Sequence, residues 1–372
     1  MSLQTPSRAP FHIGTVQAEH SRACRIDERF ALAHHVQKMP EEVVMIRTRR
    51  KVVTLGGGHG QSTALAAVAG LDVELTAIPC VTDEGGCSGQ LRREVNLPPP
   101  GDARRCLGTL ARDRVRARAF EERARASQGG RSVGNLMIAD LAEGNLQQGC
   151  DLAAEWLSSR GRVAPAALSA MTLRAVDVEG RLLEGELAIE RSEARIARVD
   201  VEAGARRNPQ AIAAILGADV VVLGPGSFFT SVLAAVAAPG IAEALVRTHA
   251  RIVFFANLSS EGHQTQGMAL PCYVRTLREH VKRWTGLELG ELTVVAHGER
   301  ETWSALDGKT RLRRAPLAEG GAHSVTAILR AVRDVAGELV RTGEEQPRPS
   351  WTRLRKPLRS TRTALARKTR VT

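Results

Sequence analysis

Two adjacent carboxylates, Asp83 and Glu84, follow an apolar stretch and lead into Gly85-Gly86-Cys87-Ser88-Gly89. Carboxylates in that setting suit a hydrated Mg²⁺, with Asp83 as the ligand, or a ribose hydroxyl. Either could also take the proton of an attacking hydroxyl. Asp83 followed by glycines is equally what an Asx-type turn requires, so the residues alone leave both readings open. A denser glycine signal lies upstream, in Leu55-Gly56-Gly57-Gly58-His59-Gly60-Gln61-Ser62. Glycines let the backbone approach a phosphate closely, and the helix that opens behind them offers unpaired N–H groups and the positive end of its dipole. No Lys follows, which excludes a Walker loop, and the dinucleotide spacing G-x-G-x-x-G fails; a purely structural strand-to-helix turn is the competing reading.

Four further constellations have weaker chemistry. In Pro100-Gly101-Asp102-Ala103-Arg104, Asp102 reads as a helix cap, and Arg104 reads either as a phosphate clamp or as a solvated side chain. Ser132-Val133-Gly134-Asn135 places small and amide residues at a helix start, a candidate anion nest. Leu223-Gly224-Pro225-Gly226-Ser227-Phe228-Phe229-Thr230-Ser231 repeats the strand–turn–helix device, with Ser227 and Thr230 able to hydrogen-bond a phosphate or sugar. Asn257 ends the next strand and could read a base or sugar edge, or be an ordinary loop asparagine. The sequence has no H-E-x-x-H, and its histidines (among them His59, His263, His280, His297 and His323) are scattered.

The elements that must position these residues alternate in the α/β manner. Residues 51–55 and 73–81 read as strands, 62–69 as the helix between them, and 102–127 as a long charged helix. Residues 133–143 and 151–158 read as two more helices. Alternating patterns at 168–173, 181–190 and 196–201 predict a small antiparallel β insertion, about 167–201. The wound pattern then resumes. Asn208 caps a helix with Pro209 first and Gly217 just past its end. Strands follow at 219–223, 252–257 and 292–296, a helix at 228–237, and a closing helix at 323–339. The expected fold is a Rossmann-like, doubly wound, mostly parallel sheet with that inserted segment. Two strand–glycine turn–helix units place two ligand loops at the carboxyl edge of one sheet.

Bulk composition narrows the classes. Aromatics make up only 3% of the chain, so aliphatic residues must pack the core. The net charge of +12 is uneven. Residues 1–51 carry nine Lys/Arg against five Asp/Glu, residues 347–372 carry nine and no acid, and 52–346 hold 34 against 35. A folded domain is therefore expected over 46–343, between a disordered extension at 1–45 and a basic disordered tail at 344–372. That tail could touch nucleic acid or acidic surfaces, or simply be solvated. The six cysteines show no metal-ligand spacing, and the absence of a membrane span or leader points to the cytoplasm.

Taken in register, these motifs resemble the gluconeogenesis factor (YvcK-like) family, whose wider superfamily includes 2-phospho-L-lactate transferase (CofD). The resemblance runs from about Val52 to Leu339. It implies a regulatory protein that binds a UDP-sugar, UDP-N-acetylglucosamine or UDP-glucose, and links carbon metabolism to cell-wall synthesis and cell shape. No cofactor is required for that role, and a homo-oligomer is expected. The implied ligand contacts are Gly57, Gly58, His59, Gly60, Ser88, Asp102, Arg104, Asn135, Gly224, Gly226, Ser227 and Asn257. The alternative it implies is a transferase that moves a phospholactyl group from a guanylyl donor to a deazaflavin with Mg²⁺, with Asp83 and Glu84 catalytic. This chain has His59 where the family commonly has Thr, Glu84 for Asp, Cys87 for Ser and Arg131 for His. The segment 297–314 is also shorter than the family usually shows.

Overall fold

Short Val, Leu and Ile runs bounded by glycine, proline or acidic residues become strands, and the amphipathic stretches between them become helices. In the computed structural model the chain begins β1 (Arg50–Gly56), α1 (Gly58–Val68), β2 (Val73–Pro79), α2 (Gly86–Val95), α3 (Gly101–Leu110), α4 (Arg114–Glu121), α5 (Val133–Ala142) and α6 (Leu146–Trp156). There follow β3 (Arg162–Val163), β4 (Leu173–Asp177), β5 (Leu182–Glu184), α7 (Glu186–Glu190), β6 (Ile196–Val201) and α8 (Pro209–Leu216). Then come β7 (Val220–Leu223), α9 (Phe228–Val236), α10 (Ile241–Arg247), β8 (Arg251–Phe255), α11 (Leu270–Thr285) and β9 (Leu292–His297). The last elements are β10 (Ser304–Asp307), β11 (Thr310–Ala315), β12 (Ala318–Glu319) and β13 (Ala322–His323). The structure describes residues 49–335 except 126–129, 258–261, 299–303, 320–321, 325, 329 and 332–333. The expected terminal extension and basic tail lie outside the described residues.

Eight strands form one sheet in the order β10-β11-β9-β8-β7-β1-β2-β3, and every pairing is parallel except β10 with β11. The inner strands are buried along Val52-Val53-Thr54-Leu55 and Val220-Val221-Val222-Leu223. A parallel sheet covered on both faces needs such unbroken apolar runs rather than alternation. The expected α/β sheet with a small antiparallel insertion is thus present, the insertion being a three-stranded sheet in the order β5-β4-β6.

The structure corrects several element boundaries. The alternating stretch 168–172 is not a strand. Its backbone is held by Arg206 O, to Leu168 N, and by Val81 O, to Met171 N. In 181–190 the strand stops at Glu184, Gly185 turns the chain at φ +90°, and the remainder coils into α7. The charged helix expected over 102–127 breaks after Leu110, because Asp113 caps a new helix by accepting from Val115 N and Arg116 N, each at 3.0 Å. The glycine-rich run after Asp83 reads as loop, yet it coils into α2 from Gly86 onward. The closing helix starts later than expected, since His323 lies in β13 and Ser324 Oγ accepts the Ala327 N–H. Its expected end, 336–339, is outside the described residues.

Asn208 ties three of these elements together. Its Oδ1 accepts Gln210 N at 3.0 Å to cap α8, and its Nδ2 donates to Gln147 Oε1 at 2.8 Å and Pro165 O at 2.7 Å, all with the side chain buried. Asn208→Ala removes the cap and strands two buried acceptors, so it should destabilise by about 2–3 kcal/mol. Asn208→Ser should recover about 1 kcal/mol of this, the capping share alone. Urea unfolding midpoints of the three proteins measure both quantities.

Candidate ligand-binding site

From β1 the chain winds outward through β2 and β3 on one side, and later through β7, β8 and β9 on the other. The carboxyl ends of β1 and β7 therefore flank the switch point, where open α/β sheets form their ligand crevice. Both glycine turns lie there and interlock. Gly224 N donates to Leu55 O at 3.0 Å. A Cβ on Gly60 would meet the Pro225 carbonyl and come within 2.7 Å of Gly226 N. Gly226 adopts φ +148°, and a Cβ there would sit 3.3 Å from Gly57 O. Helix α1 begins at Gly58 with no side chain capping it from Gly57, and the space above Gly58 is open for 4 Å. His59 is exposed, its Nδ1 3.1 Å from Arg105 Nη1.

Asp102 does not cap its own helix: Pro100 takes that position on α3. Instead its carboxylate reaches across to the first glycine turn. Oδ2 would stand 2.6 Å from a Cβ on Gly57, and the Gly58 N–H is hydrogen-bonded to it. Burial pushes the carboxyl up to about 6, against the pull of that N–H and of Arg105.

Asp83 and Glu84 diverge. Asp83 Oδ1 accepts Gly85 N at 2.7 Å, completing the Asx turn, and Oδ2 lies 3.3 Å from where a Gly101 Cβ would be. The Ser88 hydroxyl abuts the same glycine, so Asp83 and Ser88 meet at the start of α3. Glu84 faces the other way and pairs with Arg92 at 3.3 Å; Arg92 also donates to Met171 O and Thr172 Oγ1. That arrangement anchors the antiparallel insertion to α2.

The insertion also supplies two carboxylates that the sequence reading missed, because it took 181–190 for a strand. Glu186 Oε2 accepts from Thr82 Oγ1 at 3.0 Å. Burial, followed by repulsion from Asp83, Asp102 and Glu190, pushes Glu186 up to about 8. Glu190 is also raised, by burial and then by Asp83, while it hydrogen-bonds Thr230. The Thr230 and Ser227 hydroxyls are 2.8 Å apart, which links the acidic cluster to the second glycine turn. A turn of acids spaced i, i+4 after Gly185 was the available signal. Among the described residues no three His, Cys, Asp or Glu side chains converge in metal-ligating geometry.

The remaining candidates lie around this centre. Arg104 forms an ion pair with Glu121, and its aliphatic stem fills the space a Gly134 side chain would need. Among the described residues its Nε, Ser132 Oγ and Asn135 Oδ1 are buried without a hydrogen-bond partner, and the Ser132 side chain makes no cap hydrogen bond. Unpaired buried polar atoms of this kind are the usual mark of a missing water or ligand atom. Arg131 is held in a two-pronged pair with Glu94, at 2.7 and 2.6 Å. Asn257 is half-buried two residues beyond β8. A cavity of about 650 Å³ opens two strands away from the turns, at the ends of β9 and β11, beside His297, Arg313 and Asp334. Phe228 and Phe229 are fully buried and meet edge to face, and Phe228 also packs at an angle against Phe254 and Tyr273, so both rings are committed to the core.

Comparison with known proteins agrees with this layout. A family model described as 2-phospho-L-lactate transferase CofD matches residues 52–311. The gluconeogenesis factor of Halalkalibacterium halodurans is 34% identical over 238 residues, 62% of this chain and 74% of that protein. Proteins provisionally given the same name are 35% identical in Thermotoga maritima (63% of this chain, 76% of the relative) and 35% identical in Nostoc sp.. The match covers 61% of this chain but only about half, 51%, of the Nostoc relative. A crystal structure of a Bacillus halodurans protein superposes with a TM-score of 0.69 at 28% identity, covering 77% of this chain and 99% of that one. The chain belongs to the gluconeogenesis-factor (YvcK-like) family within the CofD superfamily.

Proposed function

We propose that the chain binds a UDP-sugar in the crevice between its two glycine turns and acts as a cytoplasmic regulatory protein, linking carbon metabolism to cell-wall synthesis and cell shape. The observation that carries this reading is the interlock of turns 56–60 and 224–227 at the switch point, beside a helix opened by an uncapped glycine. Backbone N–H groups of Gly57, His59 and Gly60 would face one phosphate, with the open space at Gly58, whose own N–H Asp102 holds, letting it approach, and Gly224, Gly226 and Ser227 would face the other phosphate or the sugar. Ser88, Asp102, Arg104, Asn135 and Asn257 would surround the rest of the ligand. Calorimetry should detect binding of UDP-N-acetylglucosamine or UDP-glucose. Gly226→Asp should lower the affinity by about 100-fold or more, because it strains a positive-φ position and sets a carboxylate against the phosphates. No heat with any UDP-sugar would sink the proposal.

The acidic cluster favours one second reading, phosphoryl-group transfer. A hydrated Mg²⁺ needs one or two carboxylates besides waters and ligand phosphates, and Asp83 with Asp102 behind it fits that demand. When bound, the ion would neutralise charge on the transferring group. The acceptor oxygen would bond to the phospholactyl phosphorus, the bond to the GMP oxygen would break, and Asp83 would take the hydroxyl proton. Glu84, already paired with Arg92, would hold the insertion in place. Incubation with a deazaflavin, the guanylyl donor and Mg²⁺ should release GMP if this reading holds; folded protein that releases none eliminates it.

Both readings bring phosphates toward carboxyls that hold their protons tightly. A carboxyl raised in the folded state makes that state bind more protons than the unfolded chain, so stability falls as pH rises from the ordinary carboxylate range to about 8. Glu186→Gln should therefore raise stability by on the order of 1 kcal/mol near pH 8.5, with little change near pH 5. Melting curves at both values decide this, and an equal change at both would contradict it.

A further inference from the structure

Three guanidiniums meet at the sheet edge opposite the glycine turns, where the reading above assigns no role. Arg49 precedes β1, Arg112 stands in the break between α3 and α4, and Arg160 lies between α6 and β3. Together with Asp72 and the apolar Ala69 and Leu71 they line one cavity of about 280 Å³. Backbone hydrogen bonds fix the meeting of the segments: Arg160 N donates to Leu110 O at 3.0 Å, and Arg112 N donates to Leu157 O at 3.3 Å.

The charges at this place do not balance. Asp72 is the only acid lining the cavity among the described residues, and it is already paired with Arg49 at 2.8 Å. The neighbouring Lys51 and Glu74 pair with each other at 3.9 Å. Arg112 and Arg160 are exposed and form no ion pair among the described residues. Two uncompensated guanidiniums thus face the same small space, within a segment, 52–346, whose basic and acidic residues number 34 and 35. Like charges gathered in a concave site repel one another unless an anion joins them. Guanidinium forks match phosphate oxygens in pairs, and this cavity is large enough for a phosphate and a short carbon chain but not for a macromolecule.

We infer that Arg49, Arg112 and Arg160 form a second binding site, for a small phosphate dianion, either inorganic or a monoester. Helix α1 spans the distance from the glycine turn to this cavity, about 16 Å for its eleven residues. The two sites are therefore separate, and this inference does not depend on the UDP-sugar reading.

The test follows melting temperature against inorganic phosphate and, separately, glycerol phosphate, on the full chain at ionic strength held constant with chloride. A ligand that binds only the native state raises the melting temperature in a saturable way. The wild-type protein should show such a rise with at least one of the two anions, and which anion gives it identifies the source of the phosphate. Arg112→Gln/Arg160→Gln should weaken the response about fivefold or more. Both side chains are exposed and their mutual repulsion is removed, so its unliganded melting temperature should not fall. Should the double variant fold poorly, Arg160→Lys keeps the charge, loses the fork, and should still weaken the response. Gly226→Asp should retain the full phosphate response, whatever it does to UDP-sugar binding. No rise with either anion, or an equal rise in wild type and the arginine variants, overturns the inference.

Discussion

The contact that governs this molecule is the one between two backbones: turn 56–60 against turn 224–227. Strands β1 and β7 run parallel, in register from Val52 with Val220 to Leu55 with Leu223, so their carboxyl ends arrive side by side. Any side chain at Gly60 would push them apart. From that constraint follow the start of α1 at Gly58, the positive φ of Gly226, and the placing of Asp102 over the first turn in place of a local cap. A helix start left uncapped by its own sequence is costly unless something else meets its N–H groups. Here a carboxylate from α3 does so, and that N–H favours its ionised form while burial opposes it.

The second organising feature is a cluster of carboxyl groups around the same place. Asp83 follows β2, Asp102 opens α3, and Glu186 and Glu190 come from the antiparallel insertion. Burial first, and then repulsion among them, keeps Asp102, Glu186 and Glu190 above the ordinary carboxylate range. Such strain between titratable groups is common where ligands or chemistry are handled. The insertion thus has a positional meaning: Arg92 ties it to α2 through Glu84, Met171 and Thr172, and that fixes where α7 presents its acids.

The sheet, the insertion and both glycine turns were legible in the sequence because each rests on a local rule. Unbroken Val/Leu runs mark inner parallel strands, and glycines mark places where a Cβ cannot fit. The Asn208-Pro209 start of α8 was equally readable, since capping is local. What stayed hidden depended on distant partners. Asp102 looks like a cap for its own helix, and only the fold shows that it serves α1. Glu84 looks like a partner of Asp83, but adjacent residues leaving a strand point to opposite sides, and Arg92 claims it. Glu186 and Glu190 were masked by an alternation that stops at Gly185. Phe228 and Phe229 sit in a ligand-like loop by sequence, whereas the wide first turn of α9 directs both into the core.

In the proposed complex one ligand touches both glycine turns at once. Hydrogen–deuterium exchange of the full chain, with and without saturating UDP-N-acetylglucosamine, reads the relevant amides directly. Exchange should slow in two separate peptides, one carrying His59 and Gly60 and the other Gly226 and Ser227, with the amino-edge arginine segments unchanged. Protection confined to one turn, or lying only outside both, would contradict it.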